Sequence, residues 1–265
     1  MAEYLTQLQQ VIGRLPLKDV QQVVDTLLEG HEARAKIFVI GNGGSVATAS
    51  HFACDLSKGT ITAGVPRFRV ISLVENASLM TAWAGDMSYG DVFVEQLHGL
   101  LDPGDVVIAL SSTGNSECLI RAVRMARWRG AKTISFTGCG GGKLAPLTDV
   151  SVIVPSSCLE QVEDVHLALG HSICLALRQA LRKRARYLGG QWKEVNHDLR
   201  LWGGGQLPLG RARDRVLSED KSLSESDSNH DNEPLAGETD EPYTAEQEKA
   251  VPHLRYKSKK GAMEE

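Results

Sequence analysis

No stretch of this chain stays apolar long enough to cross a membrane, and none of its cysteines stands in a CxxC pair. The first absence argues against a spanning segment. The second argues against a disulfide framework: the five cysteines, at 54, 118, 139, 158 and 174, are odd in number and widely spaced, as reduced thiols in a cytoplasm would be. The N-terminus, MAEYLTQLQQVIGRL, mixes apolar and polar residues and lacks the continuous apolar core of a signal peptide. An excess of one charge is missing as well. Lys and Arg total 29 against 33 Asp and Glu, a formal net charge of −4, which leaves no electrostatic footprint for nucleic acid or a membrane surface. These absences predict a cytoplasmic protein with neither nucleic acid nor membrane as partner.

What is present suits one sizeable α/β domain within 265 residues. Residues 4–31 carry apolar positions three and four apart, which predicts two amphipathic helices broken around Pro16. Five short Val- and Ile-rich runs follow, KIFVIG, FRVISL, DVVIAL, KTISFTG and VSVIVP, each bounded by turn-forming residues. Helical stretches are expected at 45–57, 91–101 and 116–129, and a long one at about 160–187. Strands apolar on both faces, alternating with helices, predict a parallel sheet covered on both sides. Ligands of such sheets bind beyond the carboxyl ends of the strands. There this chain carries GNGGS, SLVENAS, SSTGNS and TGCGGGK.

The domain is expected to span 1–190, with a partly ordered extension at 191–204 whose two tryptophans suggest packing on something. Residues 205–265 are polar, acidic and almost free of large apolar side chains, so a disordered tail is expected.

Two loops are candidates for anion binding. SSTGNS offers Ser111, Ser112, Thr113 and Ser116 at a helix start, with Gly114 permitting close backbone approach. No Walker-type lysine follows, so a small phosphate ester suits it better than a nucleoside triphosphate. Taken alone it could be a plain cap and turn. The second loop, Asn42, Gly43, Gly44 and Ser45, shifts the balance toward a ligand.

His51 and Asp55, four residues apart, share one helix face. That spacing suits two ligands of one metal, although an isolated pair of this kind more often only stabilises its helix. Further on, Glu163 and His171 lie eight residues apart on broadly one side of the last helix. His166 points elsewhere, which suits a structural role or a subunit contact. Two histidines and two carboxylates match the donors of a zinc site, though spacing alone does not select it.

Together, GNGGSxxxxxHFAxDL, SSTGNSxxxIRAVxxARxxGAKTISFTGxGGGKLA and VEDVHLALGH resemble the sugar isomerase (SIS) superfamily, and within it the sedoheptulose 7-phosphate isomerase, or phosphoheptose isomerase, family. The resemblance runs to about residue 187. It implies a three-layer αβα fold of flavodoxin-like or Rossmann-like type with a five-stranded parallel sheet. It further implies a homotetramer with active sites at subunit interfaces, and conversion of a ketose phosphate to an aldose phosphate as the first step toward nucleotide-activated heptose. By position it assigns Asp55 and His171 to catalysis, and His51, Asp55, Glu163 and His171 to one zinc ion per site. Asn42, Gly43, Gly44, Ser45, Asp86, Ser111, Ser112, Thr113, Ser116 and Glu163 fall on its substrate contacts. Four departures stand out, three of them replacements: Asp55 replaces a glutamate, Glu163 replaces a glutamine, and Gly85 replaces the asparagine before Asp86. An arginine usual after the first helix of the motif is absent, with Lys58 near its place. A rival reading is a non-catalytic SIS protein, a phosphosugar sensor or assembly factor, which needs the loops but no acid–base pair.

Overall fold

The computed structural model describes the backbone of residues 1–201 and the side chains of 1–186. Two helices open the chain, α1 (Ala2–Ile12) and α2 (Leu17–Glu32), separated at Pro16 as expected. Five parallel strands follow: β1 (Lys36–Gly41), β2 (Arg69–Ser72), β3 (Val106–Ser111), β4 (Lys132–Thr137) and β5 (Val150–Ile153). Their order across the sheet is β2-β1-β3-β4-β5. All five apolar runs of the sequence become these strands.

Burial follows the apolar pattern. All of β3 and all but the first residue of β1 and β4 are buried, whereas the edge strands β2 and β5 are mostly half-buried. Helix α3 (Ser45–Cys54) connects β1 to β2; α4 (Ala77–Asp86) and α5 (Val92–Leu100) connect β2 to β3; α6 (Glu117–Trp128) connects β3 to β4. Right-handed crossovers from β1 outward in opposite directions put α3 on one face and α5 and α6 on the other. Helix α3 packs on β1 and α7, and α5 packs on α6, giving three layers.

Helix α7 (Leu159–Leu201) continues well past the expected end near 187. Its buried stripe, Val162, Val165, Leu169, Ile173, Leu177 and Leu181, steps by threes and fours along one face. Helix α4 was not foreseen: none of its residues is fully buried, and its apolar stripe is only Met80, Trp83 and Ala84, half-buried against the core. The expected disordered tail, 205–265, lies outside the described residues, as does the packing of the two tryptophans. All five cysteines are free. Among the described residues, no helix is long and apolar enough to cross a membrane.

The strand order reverses between β1 and β3, where crossovers leave on opposite faces and a crevice opens at the carboxyl edge. The loops after those two strands are GNGGS and SSTGNS.

Candidate active site

The loop after β1 turns tightly into α3. The amides of Ser45, Val46 and Ala47 bond back to the carbonyls of Asn42, Gly43 and Gly44. Gly43 sits at φ +58 with open space around it, a backbone state that suits glycine. Asn42 ties this loop to its neighbours: its Oδ1 accepts from the Tyr89 hydroxyl at 2.6 Å, and its Nδ2 donates to Ser116 Oγ at 3.4 Å. Ser45 is buried, 2% exposed. Tyr89 was not anticipated, because a lone aromatic outside any periodic pattern gives no signal. Burial raises the pKa of its phenol, which keeps it a donor to Asn42.

The loop after β3 is braced from behind. Gly114 lies at φ +69, and a Cβ there would stand 2.1 Å from the carbonyl oxygen of Gly141. Leu144 N donates to Gly114 O at 2.9 Å, and Gly138 N to Ser112 O at 3.1 Å. The glycine-rich TGCGGGK stretch therefore supports the SSTGNS loop backbone against backbone. The hydroxyls divide in role. Ser111, buried, accepts from Gly114 N at 3.0 Å and closes the turn. Thr113 Oγ1 accepts from Asn115 N at 3.3 Å. Ser116 forms the N-cap of α6, and Ser112 Oγ donates to Glu163 Oε1 at 3.1 Å.

That last bond fixes the position of Glu163. Both of its carboxylate oxygens lie 2.8 Å from where a Cβ on Gly44 would stand, so the side chain spans the space between the two loops.

Farther along α3 and α7, three other predicted residues meet. His51 Nε2 and His171 Nε2 are 2.9 Å apart, and Asp55 Oδ2 lies 3.5 Å from the first and 3.6 Å from the second. The helices approach closely just beside this pair, where a Cβ on Gly170 would meet the Phe52 ring at 3.4 Å. Asp55 begins a single π turn, Asp55–Gly59, that ends the α3 segment. Such turns are frequent at functional sites. Thr60 Oγ1 donates to Leu56 O at 2.6 Å, stitching the turn. Despite its shorter side chain, Asp55 reaches both imidazoles.

These three donors could hold one metal ion. Two histidine nitrogens and a carboxylate oxygen suit zinc chemically, and the corners of a tetrahedron around an ion bound at about 2.0–2.2 Å are roughly 3.3–3.5 Å apart. Of the observed edges, those of 3.5 and 3.6 Å match that spacing within about 0.1 Å, and the 2.9 Å between the two imidazole nitrogens is shorter by about 0.4 Å. Glu163 is not among the three. Asp86 ends α4, exposed, and its side chain makes no hydrogen bond among the described residues. His166 is buried against Phe136, with neither ring nitrogen hydrogen-bonded. Burial pushes its pKa down to about 4, opposed in lesser measure by the Thr137 backbone.

Fold and loops together define an SIS domain, and the SIS domain family model matches residues 2–138. The phosphoheptose isomerase of Akkermansia muciniphila is 35% identical over 156 residues, which is 59% of this chain and 82% of that protein. The solved phosphoheptose isomerase of Neisseria gonorrhoeae superposes with a TM-score of 0.62 at 29% identity, covering 67% of this chain and 94% of that one. The enzyme from Francisella tularensis gives 0.61 at 25% identity, over 67% and 96%. The chain belongs to the phosphoheptose isomerase family of SIS proteins.

Proposed function

We propose that this chain is an isomerase that interconverts sedoheptulose 7-phosphate and an aldose heptose 7-phosphate, through residues of the two loops and of the His51–Asp55–His171 cluster. The convergence of those three side chains from two helices is the observation that carries the reading. A phosphosugar sensor needs the loops alone and has no use for such a cluster.

Distances along the helices support a substrate of this length. Helices α3 and α7 both begin at the carboxyl edge of the sheet. From Gly44 to His51 is about 10 Å along the axis, and from Glu163 to His171 about 12 Å. An extended heptose phosphate measures about 10 Å from phosphorus to C1, at roughly 1.2 Å per bond. With its phosphate at Ser112, Thr113, Ser116 and the Gly43–Gly44 turn, its C1–C2 end lies at the level of the histidines.

In the forward direction Asp55 takes a proton from C1. The C1–H pair becomes the C1=C2 double bond, and the carbonyl pair moves onto the C2 oxygen. His171 gives that oxygen a proton. In the second half His171 takes the proton of the C1 hydroxyl, whose O–H pair becomes the C1 carbonyl, while the C1=C2 pair takes back at C2 the proton held by Asp55. A carboxylate has two oxygens, so Oδ2 of Asp55 can face the imidazoles while the other accepts a proton. His51, Asp55 and His171 would hold a zinc ion, His171 only while it is not carrying the transferred proton, and Glu163 would join them only by leaving Ser112. Bound there, the ion would supply Lewis-acid polarisation of the carbonyl.

Self-association into a tetramer fits the surface of α7. Leu167 and Leu175 are exposed, each four residues from His171 and therefore on the face that carries it. A cytoplasmic location and the place at the start of activated-heptose synthesis accompany this reading.

The deciding experiment incubates the protein with sedoheptulose 7-phosphate and follows the anomeric proton of an aldose product by NMR. Turnover is expected in the wild type. Replacement His171→Gln should abolish it while sugar-phosphate binding persists, and unchanged turnover in that variant would refute the assignment.

A further inference from the structure

We propose that Arg178 is an additional substrate-binding residue, a cation that receives the two oxygens at the reacting end of the sugar. This deepens the isomerase reading and rests on it.

Beside the His51–Asp55–His171 cluster lies a cleft of about 270 Å³, lined by Asp55, Gly59, His171, Cys174, Leu175 and Arg178. Arg178 follows His171 by seven residues, so the two project from nearly the same face of α7. The residue is half-buried. It makes one long hydrogen bond, from Nη1 to Gly59 O at 3.4 Å, and enters no ion pair among the described residues. A guanidinium carries five N–H donors, most of which are unspent here. A partly desolvated cation with free donors calls for oxygen acceptors, and beyond the Gly59 carbonyl the lining offers only the Asp55 carboxylate, with which Arg178 forms no ion pair among the described residues.

The rest of the lining adds no competing charge. Cys174 lies between the two groups; burial, and then the nearby Asp55 carboxylate, push its thiol up to about 12 against an opposing influence from Arg178. It therefore stays a neutral thiol. Leu175 closes the other side. The cleft thus presents a carboxylate and an imidazole to the carbon that loses its proton, and shares its lining with an arginine rooted about two helical turns farther along α7.

In the reaction, negative charge grows on the C2 oxygen while the C1 oxygen lies close by. Two neighbouring oxygens sharing an anion match the planar fork of arginine, whose paired N–H bonds are both stronger and more directional than those of a neutral donor. A donor fixed before the reaction stabilises that charge without reorganising. The phosphate end and the reacting end of the substrate would then each have their own anion-binding group.

The competing role for Arg178 is structural, capping the Gly59 carbonyl at the end of the π turn. Binding experiments separate the two without requiring turnover. Arg178→Gln and Arg178→Lys would be titrated by calorimetry with inorganic phosphate, which reports on the loops, and with a phosphate-bearing aldonohydroxamate, a stable mimic of the enediolate. Melting temperature is recorded for each. Expected for Arg178→Gln are a loss of at least about 30-fold in hydroxamate affinity, phosphate affinity within about twofold of wild type, and intermediate hydroxamate affinity for Arg178→Lys. Equal hydroxamate affinities overturn the proposal. So does a parallel loss of both ligands with a collapse in melting temperature, which a structural cap predicts, or a wild type that does not bind the hydroxamate. If the selective loss is found and sedoheptulose 7-phosphate is not converted, the substrate assignment fails and Arg178 stands.

Discussion

Glu163 lies across Gly44: both carboxylate oxygens come within 2.8 Å of the position of a Gly44 Cβ, and Ser112 donates to one of them at 3.1 Å. A negative side chain therefore sits between the two loops read as the phosphate cradle. At an effective dielectric of about 20, a carboxylate about 6 Å from a phosphate charge opposes it by about 2–3 kcal/mol before salt screening. Glu163→Gln removes the charge and keeps an acceptor for Ser112. We expect it to bind inorganic phosphate about three- to tenfold more tightly by calorimetry, with the gain shrinking as salt rises. An unchanged affinity would place the phosphate elsewhere.

Asp55 presents the reverse question, whether a longer acid would serve better. Its Oδ2 already lies 3.5 and 3.6 Å from the two imidazoles, so the added methylene of Asp55→Glu must fold back or displace a histidine. We expect a fall of about tenfold in kcat together with weaker metal retention, measured by steady-state kinetics and elemental analysis after dialysis. Asp55→Asn keeps the shape and removes the base, and should cost about 10²–10⁴ in kcat. A rise in kcat for the glutamate variant would mean that the site is tuned for something other than this proton transfer.

Two glycines with left-handed backbones separate strain from collision. Gly43→Ala meets nothing within 4 Å and bears only the cost of φ +58, about 1–2 kcal/mol. Gly114→Ala adds a methyl 2.1 Å from the Gly141 carbonyl to a comparable backbone cost, and should lose more than about 3 kcal/mol. Urea melts of the two variants test the difference. Gly114→Ala is expected to weaken phosphate binding as well, since the loop must move.

His166 sets a pH dependence unrelated to catalysis. It is 2% exposed, neither nitrogen is paired, and burial depresses its pKa from 6.5 to about 4. The unfolded chain takes up a proton near pH 6.5, whereas the folded chain does so only near 4. Its contribution is thus complete above 6.5 and falls away toward pH 4, by about 3 kcal/mol in all. His166→Leu orphans no hydrogen-bond partner and should remove that part of the acid limb. Unfolding free energies of both proteins at pH 7 and pH 4.5 measure it.

Much of the fold was legible because its carriers are local. Each strand is a short apolar run between turn residues, and the α7 face repeats by threes and fours. Helix α4 escaped because its only apolar stripe, Met80, Trp83 and Ala84, is one turn long and half-buried. The site was legible in part for the same reason: His51 and Asp55 are one turn apart on one helix, and spacing alone set them side by side. That His171 would meet them depends on α3 and α7 closing at Phe52 and Gly170, a tertiary contact. The position of Glu163, reaching toward Ser112 and away from the imidazoles, follows from a side-chain conformation that no spacing encodes. Tyr89 and Arg178 each act alone, at the end of a contact that spans 47 or 119 residues.

The interlocked backbones of 112–114 and 138–142 bear on how the protein responds to small anions. Because the carbonyls of Thr113 and Gly141 leave no room for side chains at Gly142 and Gly114, the loop after β3 has few alternative shapes to lose on capture. Recognition there begins from an ordered receptor, and little of the anion's binding energy is consumed in arranging it. An inorganic phosphate, lacking any sugar, should therefore act as a competitive inhibitor at concentrations where its only handhold is this rigid seat.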